Sequence, residues 1–293
     1  MRPTENKKKF ESTTDALSYL YSFTRNTSTF RFRGQANSAW SIKPSVYRYC
    51  DFERYQTVQH ENLMLQSKPK NPIPPLMHTS FDLEWLMLCQ HYDIPTRLLD
   101  WTTDILVALF FACYNKNEIN KNGALFICDQ MDYPAFAAYN TPNMKSEELS
   151  FISTAIINPR MRMQSGSFML WGHVPLNDES TETYDLFEYI RTIDNPSIFL
   201  KRIIIPAQKK ERILAELSEI YGINCSSLYI ENGYLEKKYK HNFPSLKEDI
   251  RLATLYTTDA DRLNLEEERK ARSLFKIECR NMIGGCRRLN QIN

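Results

Sequence analysis

The sequence predicts an α+β fold: a modest mixed or antiparallel sheet, with helices packed around one buried apolar helix. Three observations lead to that class. The run Ile105-Leu106-Val107-Ala108-Leu109-Phe110-Phe111-Ala112-Cys113 is apolar on every side, yet far shorter than the roughly 20 residues a membrane span needs, so it belongs inside a core. Thr29–Gln35, Gly123–Cys128, Phe151–Ile157 and Phe199–Ile205 are short, aromatic or aliphatic runs that read as strands. Amphipathic stretches around residues 13 to 23 and 208 to 220 supply helices to cover a sheet.

The elements follow in order. Residues 13 to 23 are spaced as a short helix with Leu17, Leu20 and Tyr21 on its apolar face. In Thr29–Gln35, alternation puts Phe30 and Phe32 on one face and Arg31 and Arg33 on the other, while Gly34 permits a close backbone approach. Pro44 to Arg48 turns the chain, a polar helix is predicted around 53 to 66, and prolines 69, 72, 74 and 75 mark a loop. Helix resumes after Ser80, a fitting N-cap with Asp82 and Glu84 in the first turn. It must end near Tyr92, because the residue before Pro95 is disfavoured in a helix. The Ile94-Pro95 step is expected to make a corner between two helix-like segments, with Arg97 and Asp100 three apart and paired on one helical turn. Thr102-Thr103-Asp104 then caps the buried helix. After the strand at 123–128, residues 129 to 150 are irregular. The strand Phe151–Ile157 is expected to end at Pro159, and residues 160 to 171 to form a corner and a further strand. Pro206 stops the strand at 199–205, and Gly222 is the expected C′ residue of the helix that follows. The tail beyond 243 holds one charged helical stretch, Glu266 to Arg280.

Bulk properties narrow the function classes. The chain has 293 residues, 42% hydrophobic and 25% charged, which suits a packed fold with a sizeable core. A formal charge of +2 demands neither a nucleic-acid nor a membrane partner, so any basic site must be local. Cysteines at 50, 89, 113, 128, 225, 279 and 286 lack CxxC spacing, which argues against a disulfide framework or a zinc knuckle and for a reducing compartment. The N-terminal Met-Arg-Pro-Thr-Glu-Asn-Lys-Lys-Lys has no apolar core after its charges. A cytoplasmic protein without a signal peptide or membrane partner is therefore expected. Cys89 and His91 are the only soft ligand types close together, so no metal is expected. Walker, GxSxG, HExxH and GxGxxG patterns are missing.

Three pieces of the sequence together resemble the FRG domain, a prokaryotic family named for its Phe-Arg-Gly motif. They are Phe32-Arg33-Gly34-Gln35 with Pro44-Ser45-Val46-Tyr47-Arg48; Gln90-His91-Tyr92-x-x-Pro95-Thr96-Arg97-Leu98-Leu99-Asp100-Trp101-Thr102; and Arg160-Met161-x-x-Gln164-x-Gly166-x-Phe168. The second piece is the most specific. At Asp93 the family usually has glycine, and the substitution adds a carboxylate beside His91 and Arg97. The resemblance spans roughly residues 28 to 235 and divides the chain into a lead-in (1–27), an FRG-like domain (28–242) and a C-terminal helical extension (243–293).

The aromatic-Arg-Gly at a strand end is also similar to the opening motif of the Arg-Ser-Glu class of ADP-ribosyltransferases. That similarity implies an ADP-ribosyltransferase-like fold and a cleft for NAD or another nucleotide, and the FRG resemblance suggests an effector of bacterial or phage conflict. Arg33 would hold a phosphate through its planar fork of donors. Gln35, Gln164 and Ser167 would bind the rest of the cofactor, and Glu231 or His91 would assist transfer. Tyr229 stands where that class often has Glu or Gln. Duller roles stay open: Arg33 as a structural ion-pair partner, His91 as a hydrogen-bond donor to its own helix end. Two rival classes also stay open. One is a non-catalytic nucleic-acid- or protein-binding module using Arg31, Arg33, Arg160 and Arg162 as a phosphate patch; the other is a metal-dependent nuclease.

Overall fold

The computed structural model describes residues 5–24, 26–48, 64–70, 81–133, 135–136, 149–152, 156–171, 185–187, 190, 199–230 and 243–248. Within them eight strands form one sheet: β1 Glu5–Lys9, β2 Phe30–Gln35, β3 Leu98–Thr102, β4 Gly123–Asp129, β5 Ala135–Phe136, β6 Ser150–Ile152, β7 Gly166–Leu170 and β8 Leu200–Ile205. Their order across the sheet is β1-β8-β4-β2-β3-β7-β6-β5. The β1–β8 and β5–β6 pairs are parallel and the rest antiparallel, so the sheet is mixed and larger than the sequence suggests. The helices are α1 Thr13–Tyr21, α2 Phe81–His91, α3 Ile105–Cys113, α4 Pro159–Met163, α5 Lys210–Tyr221 and α6 Cys225–Leu228.

Helix α3 is the buried helix the sequence predicts. Asp104 caps it by accepting from the Leu106 amide, and every residue but Phe111 is buried. One side rests on Phe30, Phe32, Leu125, Ile127, Ile203 and Ile205 of the sheet, and α1 and α5 complete the cluster. The contact with the sheet is unusually close for a simple reason. A Cβ on Gly34 would lie 1.9 Å from the Ala108 carbonyl oxygen, and one on Gly123 would lie 2.0 Å from that of Ala112. Two neighbouring strands therefore present bare backbone, and the helix backbone settles directly on it. The close approach expected at Gly34 is made by α3.

The other face of the sheet carries a separate core that includes Val46, Leu99, Trp101, Phe126 and Met169. A third cluster joins α2 to Leu98, Ile152 and Leu170, and takes in Phe243 and Leu246. Residues 243–248 are helical, and Phe243 stacks on Tyr92 with ring centroids 4.0 Å apart. The lead-in is likewise built into the body: β1 extends the sheet beside β8, and Thr13 bonds to Glu216 of α5.

Local expectations hold unevenly. In α1 the packed stripe runs through Thr13, Ala16, Leu17 and Leu20. At about 100° per residue Tyr21 falls beyond its edge, and it is 83% exposed. Leu98–Thr102 is a strand rather than a helical turn. Its alternation sends Arg97 and Asp100 to different surroundings, and they do not pair. Pro159 does not end a strand; it opens α4, with the Asn158 side chain accepting from the Met161 amide at 2.7 Å. The first turn of a helix needs no donor from proline, so the position tolerates it. Gly222 ends α5 with φ 66°, as expected. Of the predicted helix at 53–66, only 64–66 fall within the described residues, and they are helical. Ser80, the proline loop from 71 onward and the helix at 266–280 lie outside the described residues. Among those described, no helix is long and apolar enough to cross a membrane.

Candidate functional site

Strand β2 pairs with β4 along its whole length, from Phe30–Asp129 to Gln35–Ala124. With β3 it pairs only at Phe32–Thr102. Beyond that point, toward Gly34 and Asp100, the strands separate and a cleft of about 300 Å³ opens. Phe32, Asp100, Thr102 and Phe168 contribute from the strands, Gln90 and His91 from the end of α2, and Phe111 from α3. Asn158, Arg160 and Gln164 enter from α4 and its two caps. Arg33 and Arg48 complete the lining that concerns binding.

A chain of hydrogen bonds fixes this corner. Arg33 Nη1 donates to the Asp100 carbonyl oxygen at 2.5 Å, taking the place of a missing rung between β2 and β3. Gln90 Nε2 donates to Asp100 Oδ1 at 2.5 Å, and Gln90 Oε1 accepts from the Thr96 hydroxyl. The Thr96 amide donates to Ser45 Oγ at 3.0 Å. Gln90, Thr96 and Asp100 thus belong to one connected network, with each polar group partnered by the next. Buried Arg97 works elsewhere: its Nη1 donates to the Trp171 carbonyl at 2.5 Å, and the Trp171 amide donates back to the Arg97 carbonyl at 3.0 Å. Asp93 has φ 59° at the end of α2. That left-handed conformation favours glycine, which accounts for the residue type expected there.

The electrostatics are lopsided. Among the described residues, Arg33, Arg48 and Arg160, with the imidazole of His91, line the cleft against a single carboxylate, Asp100. Burial, opposed by Asp100 and reinforced by the Arg48 charge, holds the Arg33 guanidinium down to about 10. Its Nε is buried and donates to no partner. A buried donor left over in a cationic cleft is what an anionic ligand would satisfy. Arg160 lies over the Tyr229 ring, 4.6 Å from its centroid. Burial pushes the Tyr229 phenol up, while the Arg160 charge draws it back. The His91 ring meets Tyr92 edge-on at 5.3 Å.

Three of the residues singled out from the sequence, Arg33, His91 and Gln164, come together here. Gln164 is partly committed: its Nε2 donates to the Leu228 carbonyl at 3.1 Å, and its own carbonyl accepts from Thr102 Oγ1 at 2.8 Å. Two others are not brought in. Gln35 is buried at the far end of β2, where its Nε2 donates to the Ser41 carbonyl at 3.1 Å. Ser167 sits opposite Trp101 in the β3–β7 ladder, one residue out of phase with the cleft-lining Phe168, so alternation carries it away. Glu231 lies outside the described residues. The four arginines of the phosphate-patch reading divide as well. Arg31 donates to the carbonyls of Ser28 and Phe30, and Arg162 borders a neighbouring apolar groove with Ile156 and Met163. Sequence reasoning missed Arg48, Asn158 and Phe168 as site residues and took Asp100 for half of an ion pair. The available signal was the arginine closing the Pro44–Arg48 segment.

A mixed sheet, split beside a Phe-Arg-Gly strand and lined by cations, defines the class as a mixed α/β domain with a candidate anion cleft. Residues 28–121 match the family model of the FRG domain, so the chain carries an FRG domain over that span. The match takes in Arg33, Arg48, His91 and Asp100; Arg160 and Gln164 lie beyond it. No curated protein and no solved structure matches the chain.

Proposed function

We propose that the cleft binds a nucleotide-like anion, with NAD as the leading ligand. The single observation that carries this reading is the gathering, among the described residues, of Arg33, Arg48, His91 and Arg160 around one carboxylate, with the buried Arg33 Nε left without an acceptor. Arg33 and Arg48 bind phosphate oxygens, and Phe111 and Phe168 offer apolar contact to a base or sugar. ADP-ribose transfer from NAD is the reaction implied by the Arg-Ser-Glu similarity. The geometry supports its first element, Arg33, and does not support Ser167 as a partner in the cleft. The nuclease reading has less behind it, since among the described residues no three of His, Cys, Asp and Glu gather in one place.

The test is a calorimetric titration of the purified chain with NAD and with ADP, repeated on Arg48→Ala and Arg160→Ala, alongside incubation with labelled NAD to detect hydrolysis or transfer. Arg48 is exposed at the end of a short turn, so its loss should leave melting unchanged while weakening binding by about tenfold or more. Equal affinity in wild type and both variants, or no binding in wild type, overturns the reading.

A further inference from the structure

Asp100 is an unexpected group to find facing a phosphate site. Its side chain stands in the cleft, on the same cross-strand row as Phe168. Gln90 holds Oδ1 at 2.5 Å, and among the described residues no hydrogen bond is made to Oδ2. Gln90 is itself fixed through Thr96, so the carboxylate is oriented rather than loosely placed. A carboxylate beside a bare anion costs affinity through like-charge repulsion. The same carboxylate favours a ligand that places hydrogen-bond donors next to its anionic group. A cleft of about 300 Å³ is at the small end of ligand pockets and suits one nucleotide unit.

Resting on the nucleotide reading above, we infer that Asp100 is a specificity residue that accepts hydrogen bonds from the ribose hydroxyls of a ribonucleoside diphosphate, while Arg33 and Arg48 hold its phosphates. The cleft then selects ribonucleotides over deoxyribonucleotides and over bare pyrophosphate. Free ADP and the ADP half of NAD share this chemistry.

The inference is tested by titrating wild type with ADP, NAD, 2′-deoxy-ADP, 2′,3′-dideoxy-ADP and inorganic pyrophosphate. A hydrogen bond to a charged group predicts that ADP binds about tenfold or more tightly than dideoxy-ADP. Asp100→Asn retains the backbone carbonyl and a side-chain acceptor for Gln90. It should bring ADP and dideoxy-ADP within about threefold of each other and tighten pyrophosphate, because the repulsion is gone. NAD binding at the affinity of ADP assigns the ADP half as the recognised unit, whereas much tighter NAD binding assigns the dinucleotide; both agree with the inference. Equal wild-type affinity for ADP and dideoxy-ADP overturns it while the anion site stands, and that comparison requires no variant. Binding of neither nucleotide nor pyrophosphate overturns the nucleotide reading, and this inference with it.

Discussion

The two edges of strand β2 are treated in opposite ways. Toward β4 the ladder is complete from Phe30 to Gln35; toward β3 it survives only at Phe32–Thr102. Three consecutive residues serve both edges. Phe32 is buried against α3, Arg33 replaces the missing ladder by bonding the Asp100 carbonyl, and Gly34 lets α3 lie against the strand. The complete edge builds a core, and the interrupted edge leaves a cavity with polar walls. A sheet can therefore make a binding site without a loop excursion, by withholding a few rungs and lining the gap with side chains.

Substitutions aimed at the helix contact or at the cleft separate the two roles. The largest effect is expected from Gly34→Ala, whose methyl group would collide with backbone atoms of Ala108 and Ala112 that cannot move aside. A loss of about 3 kcal/mol or more follows from such overpacking, read as a lower urea midpoint or failure to fold. Arg33→Met keeps the stem and removes the guanidinium, leaving the Asp100 carbonyl without its donor. That should cost about 1–3 kcal/mol in denaturation and abolish anion binding. Equal destabilisation by the two substitutions would erase the contrast between the edges. Asp104→Ala removes the cap of α3 and should cost about 1 kcal/mol, with nucleotide affinity unchanged.

The smallest effect lies away from both edges, where α1 meets α5. Glu216 accepts from the Thr13 amide and hydroxyl and from Arg212. Those bonds, the Thr13 amide first, hold its carboxyl below the usual value of 4.5. A lowered folded-state value means stability that is present above pH 4.5 and lost as pH falls below it. Glu216→Gln should therefore differ from wild type by less than about 1 kcal/mol at pH 7. The difference should vanish in acid, as followed by urea midpoints across the pH range.

The sequence made the fold's centre readable because its signals there are local. An all-apolar nine-residue run can only be an inside helix, and the cap at Asp104 and the stop at Gly222 are written in adjacent residues. The readings that failed depended on partners distant in the chain. Leu98–Thr102 becomes a strand because β2 and β7 flank it, and nothing within the segment announces them. Pro159 has the same local appearance at a strand end and at a helix start; Asn158 and its bond to the Met161 amide decide for the helix. Ser167 and Phe168 are neighbours in sequence, yet the pleat gives only one of them to the cleft.

For this protein the sequence by itself determined the buried helix, the strand faces of Phe30 to Arg33, and the motif set that joins Arg33, His91 and Gln164 to one region. Those follow from periodicity and residue chemistry over a few positions. Tertiary structure alone decided that Gly34 serves a helix, that Arg48 and Asp100 enter the cleft, and that Gln35 and Ser167 stay out. Each of those outcomes turns on which strand lies beside β2 and in what register, a relation between residues tens of positions apart that no local pattern encodes.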